Sequence, residues 1–182
     1  KIHAQSVKNI ILDYDPNAQR GLGGKQMVIL RANMSDRELT GVLVHEVGHN
    51  VDLIALGARK PARVSEFRDG ETPIYIADPS LDFYRISWQN EAMRKRTAGN
   101  LDFVSGYAMT DPFEDFAETY AYYVLHGNEF RAKVSESPTL YAKWRFMKFR
   151  VFDGREFKTG DRKAAPVTRP WDVTVLPYDL DG

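Results

Sequence analysis

Two of the four histidines in this chain fall inside one pentapeptide, His45-Glu46-Val47-Gly48-His49. On a helix, residues four apart share a face, so both imidazoles can reach a single ion while the carboxylate between them stands beside it. This is the ligand-and-base spacing of a zinc hydrolase, and it makes a metallopeptidase the leading expectation. Zinc takes imidazole nitrogen well, prefers four-coordination, and in catalytic sites keeps a position for water whose pKa falls to about 7. Glu46 is placed to accept that proton. The competing reading is two histidines making ordinary polar contacts on a helix; their concentration in five residues weighs against it.

A catalytic site of this kind needs a third protein ligand. The downstream extension that would supply another histidine is absent, because Asp52 stands where it requires glycine and Ala55 where it requires histidine. His3 is expected in a frayed terminus, and His126, before Gly127, at a helix end where a cation suits the dipole. Neither reads as a ligand. A carboxylate is the better candidate. Asp111 as N-cap and Pro112 at the first helical position open a helix expected to run to about His126, and they place Glu114 and Glu118 one turn apart on one face. One can bind zinc while the other orients an imidazole through its free N–H. Glu114 also sits at the third position of a D-x-x-E capping box, a purely structural role.

Taken together, His45-Glu46-Val47-Gly48-His49 with Asp52 three residues on, Tyr107 seven residues before Glu114, and Glu114-Asp115-Phe116-Ala117-Glu118 resemble the gluzincin metallopeptidases related to the anthrax lethal factor catalytic domain and the clostridial Pro-Pro endopeptidases. The resemblance implies one zinc ion held by His45, His49 and Glu114, with Glu46 as general base and Tyr107 as the electrophilic donor. It makes Glu118 and Asp52 the residues that support the ligands from behind. Independently, a phenol O–H aimed at a developing oxyanion supplies the stabilisation such a reaction needs, and Gly106 allows close backbone approach. Tyr120, Tyr122 and Tyr123 read more simply as core. The stretch between His49 and Glu114 is longer than the resemblance leads one to expect; it holds a loop at 57–73 and an expected helix from Pro79 to Arg96 that could shape access to a cleft.

The elements that must position these residues are partly legible. Ser35 and Glu38 form an S-x-x-E capping box with Asp36 in the first turn, so the metal-binding helix should start near Asp36. Leu39, Val42, Leu43, Val47, Val51, Leu53, Ile54 and Leu56 make it apolar almost all round, hence buried, and Gly57 is expected to stop it. Gly48, unfavourable in a helix interior by about 1 kcal/mol relative to Ala, points to close packing between the two histidines. Val7–Asp13 and Met27–Ala32 read as strands joined by a turn at Gly21, Gly23 and Gly24, with Met27–Ala32 as the sheet edge that would pair with an extended substrate. A short strand is expected at Thr72–Ala77. Helices are expected at Pro79–Arg96, Pro112–His126 and Pro138–Phe152, and an extended surface tail after Thr159. The fold class is therefore α+β: a small twisted sheet on the active-site helix with a mainly helical C-terminal part, zincin-like by the resemblance. The chain reads as one domain in four stretches, 1–57, 58–98, 99–153 and 154–182.

Composition bounds the rest. The chain has 182 residues, 43% hydrophobic, enough for a sizeable core, and its 25 basic and 25 acidic residues cancel. Without a global field, no nucleic-acid partner is expected. Arg94-Lys95-Arg96 reads as a solvated helix end, and the cation–aromatic alternation of residues 143–150 as side chains snorkelling over a packed face. No apolar run is long enough to span a membrane, and no signal peptide opens the chain. Beginning at Lys1, it reads as a mature product or excised domain; the lack of cysteine fits an exported or a cytosolic enzyme alike, and the resemblance alone sets the expected setting as bacterial secretion or the cell envelope. The expected partner is a protein or peptide substrate. Two rivals stand beside the peptidase reading: a catalytically inactive zincin-fold binding module, against which Glu46 and Tyr107 argue, and a nucleic-acid-associated peptidase, against which the charge balance argues.

Overall fold

The computed structural model describes residues 2–57, 63–159 and 169–178. It is a mixed α+β architecture of small sheets and packed helices. Three strands, β1 (Asn9–Asp13), β2 (Gly21–Gly24) and β3 (Met27–Arg31), form a sheet in the order β1-β3-β2, with β1 parallel and β2 antiparallel to β3. This corrects two expectations. The glycine-rich stretch is itself a strand, and Met27–Arg31 is the central strand; the edge beside the active-site helix is β2. The turn lies at Lys25-Gln26, both with positive φ (51° and 64°), the geometry of a type I′ hairpin. That turn normally announces itself with Asn-Gly or Asp-Gly, so Lys-Gln hides it.

After a short helix α1 (Ile2–Gln5), helix α2 (Asp36–Asn50) begins where Ser35 caps it, the hydroxyl accepting from the Glu38 N–H. The Glu38 carboxylate binds Arg20 at 2.8 Å. The helix runs on as a π-helical segment, Val51–Leu56, and Gly57 ends it with φ −49° rather than in the left-handed region. Helix α4 (Pro112–Leu125) opens at Asp111, whose carboxylate accepts from the N–H groups of Phe113 and Glu114. The two helices cross at Gly48. A Cβ there would meet Ala117 Cα at 3.1 Å and Tyr120 at 3.3 Å, so the glycine is what lets the metal-bearing helices touch main chain to main chain.

Beneath α4 lies an aromatic core. Phe116 packs edge-on against Phe83 of α3 (Leu81–Ser87), and both pack against Phe146 of a C-terminal helix (Pro138–Phe146) that continues as a π-helical segment, Met147–Val151. Lys143, expected to snorkel, is instead fully buried: it pairs with Asp115 at 2.7 Å, donates to the carbonyl of Asp102 and lies 3.9 Å above the Phe103 ring. Asp115 also accepts from Trp88 Nε1, which explains another correction. The helix expected over Pro79–Arg96 ends at Ser87, because Trp88 turns extended to bury its indole against α4; Trp88–Asn90 and Met93–Arg94 then form a hairpin, so Arg94-Lys95-Arg96 ends no helix. Within the expected 57–73 loop, Val64–Asp69 is a strand paired with Thr72–Tyr75, turning at Gly70 (φ +55°); residues 58–62 lie outside the described part.

Both isolated histidines differ from expectation in setting. His3 is packed, its ring bonded to Tyr120 Oη and the Val151 carbonyl and stacked on Phe152. His126 does end α4, but burial pushes its pKa down to about 4, so it meets the helix end as a neutral ring and not as a cation. Of the expected extended surface tail, residues 169–178 are described: they lie along the surface, with Trp171 and Val175 exposed, but bury Val173 and Thr174 in a short 3-10 turn, while 160–168 and 179–182 lie outside the described residues. No helix among the described residues is long and apolar enough to cross a membrane.

Candidate metal centre

The one-turn spacing in α2 puts His45 and His49 on the face turned toward α4, and the Asp111 cap starts α4 so that Glu114 faces them. Glu114 Oε2 lies 3.1 Å from His45 Nε2 and 3.4 Å from His49 Nε2, and the three ligand atoms all lie within 4.8 Å of one another. Among the described residues this is the one group of three or more such side chains able to hold a metal ion.

Glu118, one turn further along α4, has no exposed surface. Its Oε1 is 2.9 Å from His45 Nδ1, while Oε2 accepts from Ser105 Oγ at 2.6 Å and from the Val173 N–H at 2.9 Å. The Glu118 contact keeps a proton on His45 Nδ1, so Nε2, which faces Glu114, is the nitrogen that a metal would take. The buried Glu114 Oε2 receives no hydrogen bond. Two ring nitrogens and a carboxylate oxygen thus converge on one point that calls for positive charge, a proton or a metal, and the donor set fits a divalent ion with nitrogen and oxygen ligands. The electrostatics agree. Burial works against a charged His45, yet Glu114 and Glu118 raise its pKa to about 10; burial likewise opposes a charged Glu114, yet the two imidazoles hold it well below the carboxylate range. A field that attracts a proton this strongly attracts a doubly charged cation more.

Glu46 is buried beside this group. Burial raises its pKa, opposed by His45 and His49 and by the Gly23 N–H. Its space is made by β2. A Cβ on Gly21 would come within 2.3 Å of Glu46 Oε1, and one on Gly23 within 2.5 Å of the Glu46 carbonyl oxygen. The period-2 spacing of these glycines is the readable trace of a strand whose inward face must be bare. Tyr107, in a short 3-10 turn, donates its O–H to Glu114 Oε1 at 3.1 Å and lies along the His45 ring; burial and Glu114 push its pKa up, so the proton stays on.

Asp52 stands apart. It is buried, accepts from Tyr84 Oη at 2.6 Å, and its Oδ1 has no partner; burial pushes its pKa up to about 8. It makes no hydrogen bond to His49. The structure thus gathers His45, Glu46, His49, Tyr107, Glu114 and Glu118 in one place and leaves Asp52 behind α2. Ser105, the Val173 N–H and Arg20 join them without a local signal in the sequence. Arg20 reaches Glu38, Asp172 and Thr174, tying β2, α2 and residues 172–174 together. The cluster opens into a cleft of about 1270 Å³ walled by Gly21–Gly24 on one side and by Tyr107 and Trp171 on another.

Residues 25–154 match the model of the Peptidase_Mx family, whose description reads "Putative zinc-binding metallo-peptidase". The match spans most of the chain and takes in both metal-bearing helices, and the chain belongs to this family of zinc metallopeptidases. No curated protein and no solved structure gives a significant match.

Proposed function

We propose that this chain is a zinc-dependent endopeptidase of the gluzincin type, in line with its resemblance to the lethal factor and Pro-Pro endopeptidase group, with a zincin-like arrangement of sheet and helices. The observation that carries the reading is the convergence of two imidazole nitrogens and a buried, undonated carboxylate oxygen, with Glu46 and the Tyr107 O–H on its rim. His45, His49 and Glu114 would hold the zinc, which when bound supplies a Lewis acid that polarises a carbonyl and acidifies water. Glu46 takes the proton from the attacking water and hands it to the leaving amine. Tyr107 donates its O–H to the carbonyl oxygen as negative charge develops there. Glu118 keeps His45 in the tautomer that can bind metal. An extended peptide would lie along the free edge of β2, where bare glycine main chain offers N–H and C=O groups without side-chain obstruction.

The test is a peptide-library digest with and without chelator, run on the wild type and on Glu46→Gln, with zinc measured in each. The reading expects cleavage by the wild type, loss of cleavage with chelator, and a Glu46→Gln protein that keeps zinc but does not cut. Undiminished cleavage by Glu46→Gln, or in the presence of chelator, would overturn it.

A further inference from the structure

Trp171 is the least covered of the three tryptophans: it is 68% exposed, against 1% for Trp88 and 7% for Trp144. Single exposed aromatics are common on protein surfaces and ordinarily mean nothing. What distinguishes Trp171 is its fixed place. The chain is anchored on both sides of the ring: Pro170 O accepts from the Gly106 N–H at 2.9 Å, Trp171 O from the Tyr107 N–H at 2.6 Å, the Asp172 carboxylate pairs with Arg20 at 2.5 Å, and the Val173 N–H reaches Glu118. The indole lies against Gly106, where a Cβ would come within 2.5 Å of Cε3, and its centroid is 6.3 Å from the Tyr107 ring. One side of a large aromatic surface is therefore held down and the rest is offered to the cleft that contains Glu46 and the metal-binding cluster.

We propose that Trp171 is a specificity-determining residue, the platform on which a large apolar or aromatic side chain of an extended peptide packs, one or two residues from the bond that is cut; this rests on the peptidase reading above. An extended chain advances about 3.3 Å per residue, so a ring 6.3 Å from the tyrosine that meets the scissile carbonyl is within two residues' reach. Covering an exposed indole with an apolar side chain favours binding without any hydrogen bond to match, and it selects side chains by surface area.

The experiment compares the zinc-loaded full chain with Trp171→Ala and Trp171→Phe, mapping cleavage sites in a degenerate peptide library by mass spectrometry. The expected result is a wild-type preference for large apolar residues at one subsite, lost in Trp171→Ala and largely kept in Trp171→Phe, with zinc content equal in all three. On a preferred peptide, kcat/KM should fall by about 10-fold or more in Trp171→Ala, mostly through KM. An unchanged subsite profile in Trp171→Ala would overturn the proposal. If the wild type cuts nothing, the peptidase reading fails separately, and Trp171 is judged in zinc-loaded Glu46→Gln by acrylamide quenching of its fluorescence, with Trp171→Phe as the blank. Protection by peptides rich in large apolar residues, and not by peptides of Gly and Ser alone, supports the platform; equal or absent protection overturns it.

Discussion

The Nδ1 atom of His45 lies 2.9 Å from Oε1 of Glu118, a carboxylate sealed from solvent and bonded on its other oxygen by Ser105 and the Val173 N–H. Both oxygens of Glu118 are thus engaged, one by the back of the His45 ring, and Glu114 is the carboxylate left with an oxygen facing the metal-binding cluster. Replacing Glu118 with Ala should lower zinc affinity by about 10–100-fold, the usual effect of removing a carboxylate that orients a ligating histidine. Replacing Glu114 with Ala should lower it further. Competition against a chromogenic chelator reads both, and a Glu118→Ala protein with wild-type affinity would show that His45 needs no such support.

Tyr107→Phe should bind zinc normally and lose about 100- to 1000-fold in kcat with little change in KM, because the lost hydrogen bond strengthens only as charge develops on the carbonyl oxygen. Steady-state kinetics on any cleaved peptide decides it. A kcat near wild type would remove Tyr107 from the reaction.

Gly23→Ala tests the bare face of β2. The added methyl group would meet backbone, the Glu46 carbonyl oxygen at 2.5 Å, so strand and helix must part. Overpacking of this kind costs about 1–3 kcal/mol, and each kcal/mol lowers Tm by roughly 2–4 °C in a chain of this size. Activity should fall as well, since Glu46 moves. Calorimetry and hydrolysis assays on the same sample should show both losses, and a variant matching wild type in both would mean that β2 does not press on Glu46.

Asp52→Asn should act on stability and leave zinc affinity alone. Below the ordinary value of 3.8 the carboxyl is protonated folded or unfolded, and no difference arises. Between 3.8 and about 8 the unfolded carboxyl ionises while the buried one resists, so stability falls as pH rises; above about 8 the full penalty of a buried charge remains. The Asn variant escapes that loss. Its Tm relative to wild type should therefore rise from acid to alkaline pH, and a difference that does not vary with pH would contradict a raised pKa at Asp52. A change in zinc affinity would instead give Asp52 a role at the metal.

What could be read in advance follows the range over which each residue is determined. Ser35 and Asp111 cap their helices with groups two or three residues away, so the starts of both metal-bearing helices were legible, and Gly48 announced a close contact without naming Ala117 as its partner. Trp88 is the opposite case. Its indole leaves the expected helix for Asp115, 27 residues on, and no local propensity over Glu91–Arg96 records that bond. The Gly21–Gly24 strand was hidden because glycine has poor strand propensity and the reason for the glycines is Glu46, in another element. Glu114 and Glu118 shared a face in the sequence, but the donors that separate them, Ser105 and Val173, come from before and after α4.

The crossing of α2 and α4 at Gly48 and Ala117 has a bearing on how the protein can vary. Gly48 there meets the Ala117 main chain and the flank of Tyr120 directly, so the spacing between the helices that carry His49 and Glu114 is set by close contact at a residue with no side chain to vary. Substitutions in the aromatic core below can erode or add stability while the jaws above it stay in gauge. Gly21–Gly24 and Trp171, which line part of the cleft, lie outside the part of the chain that the family model matches, while Tyr107 lies within it. The cleft can therefore vary at the exposed Trp171 side chain, but not at Gly21, Gly23 or Val173, whose contacts hold Glu46 and Glu118 in place.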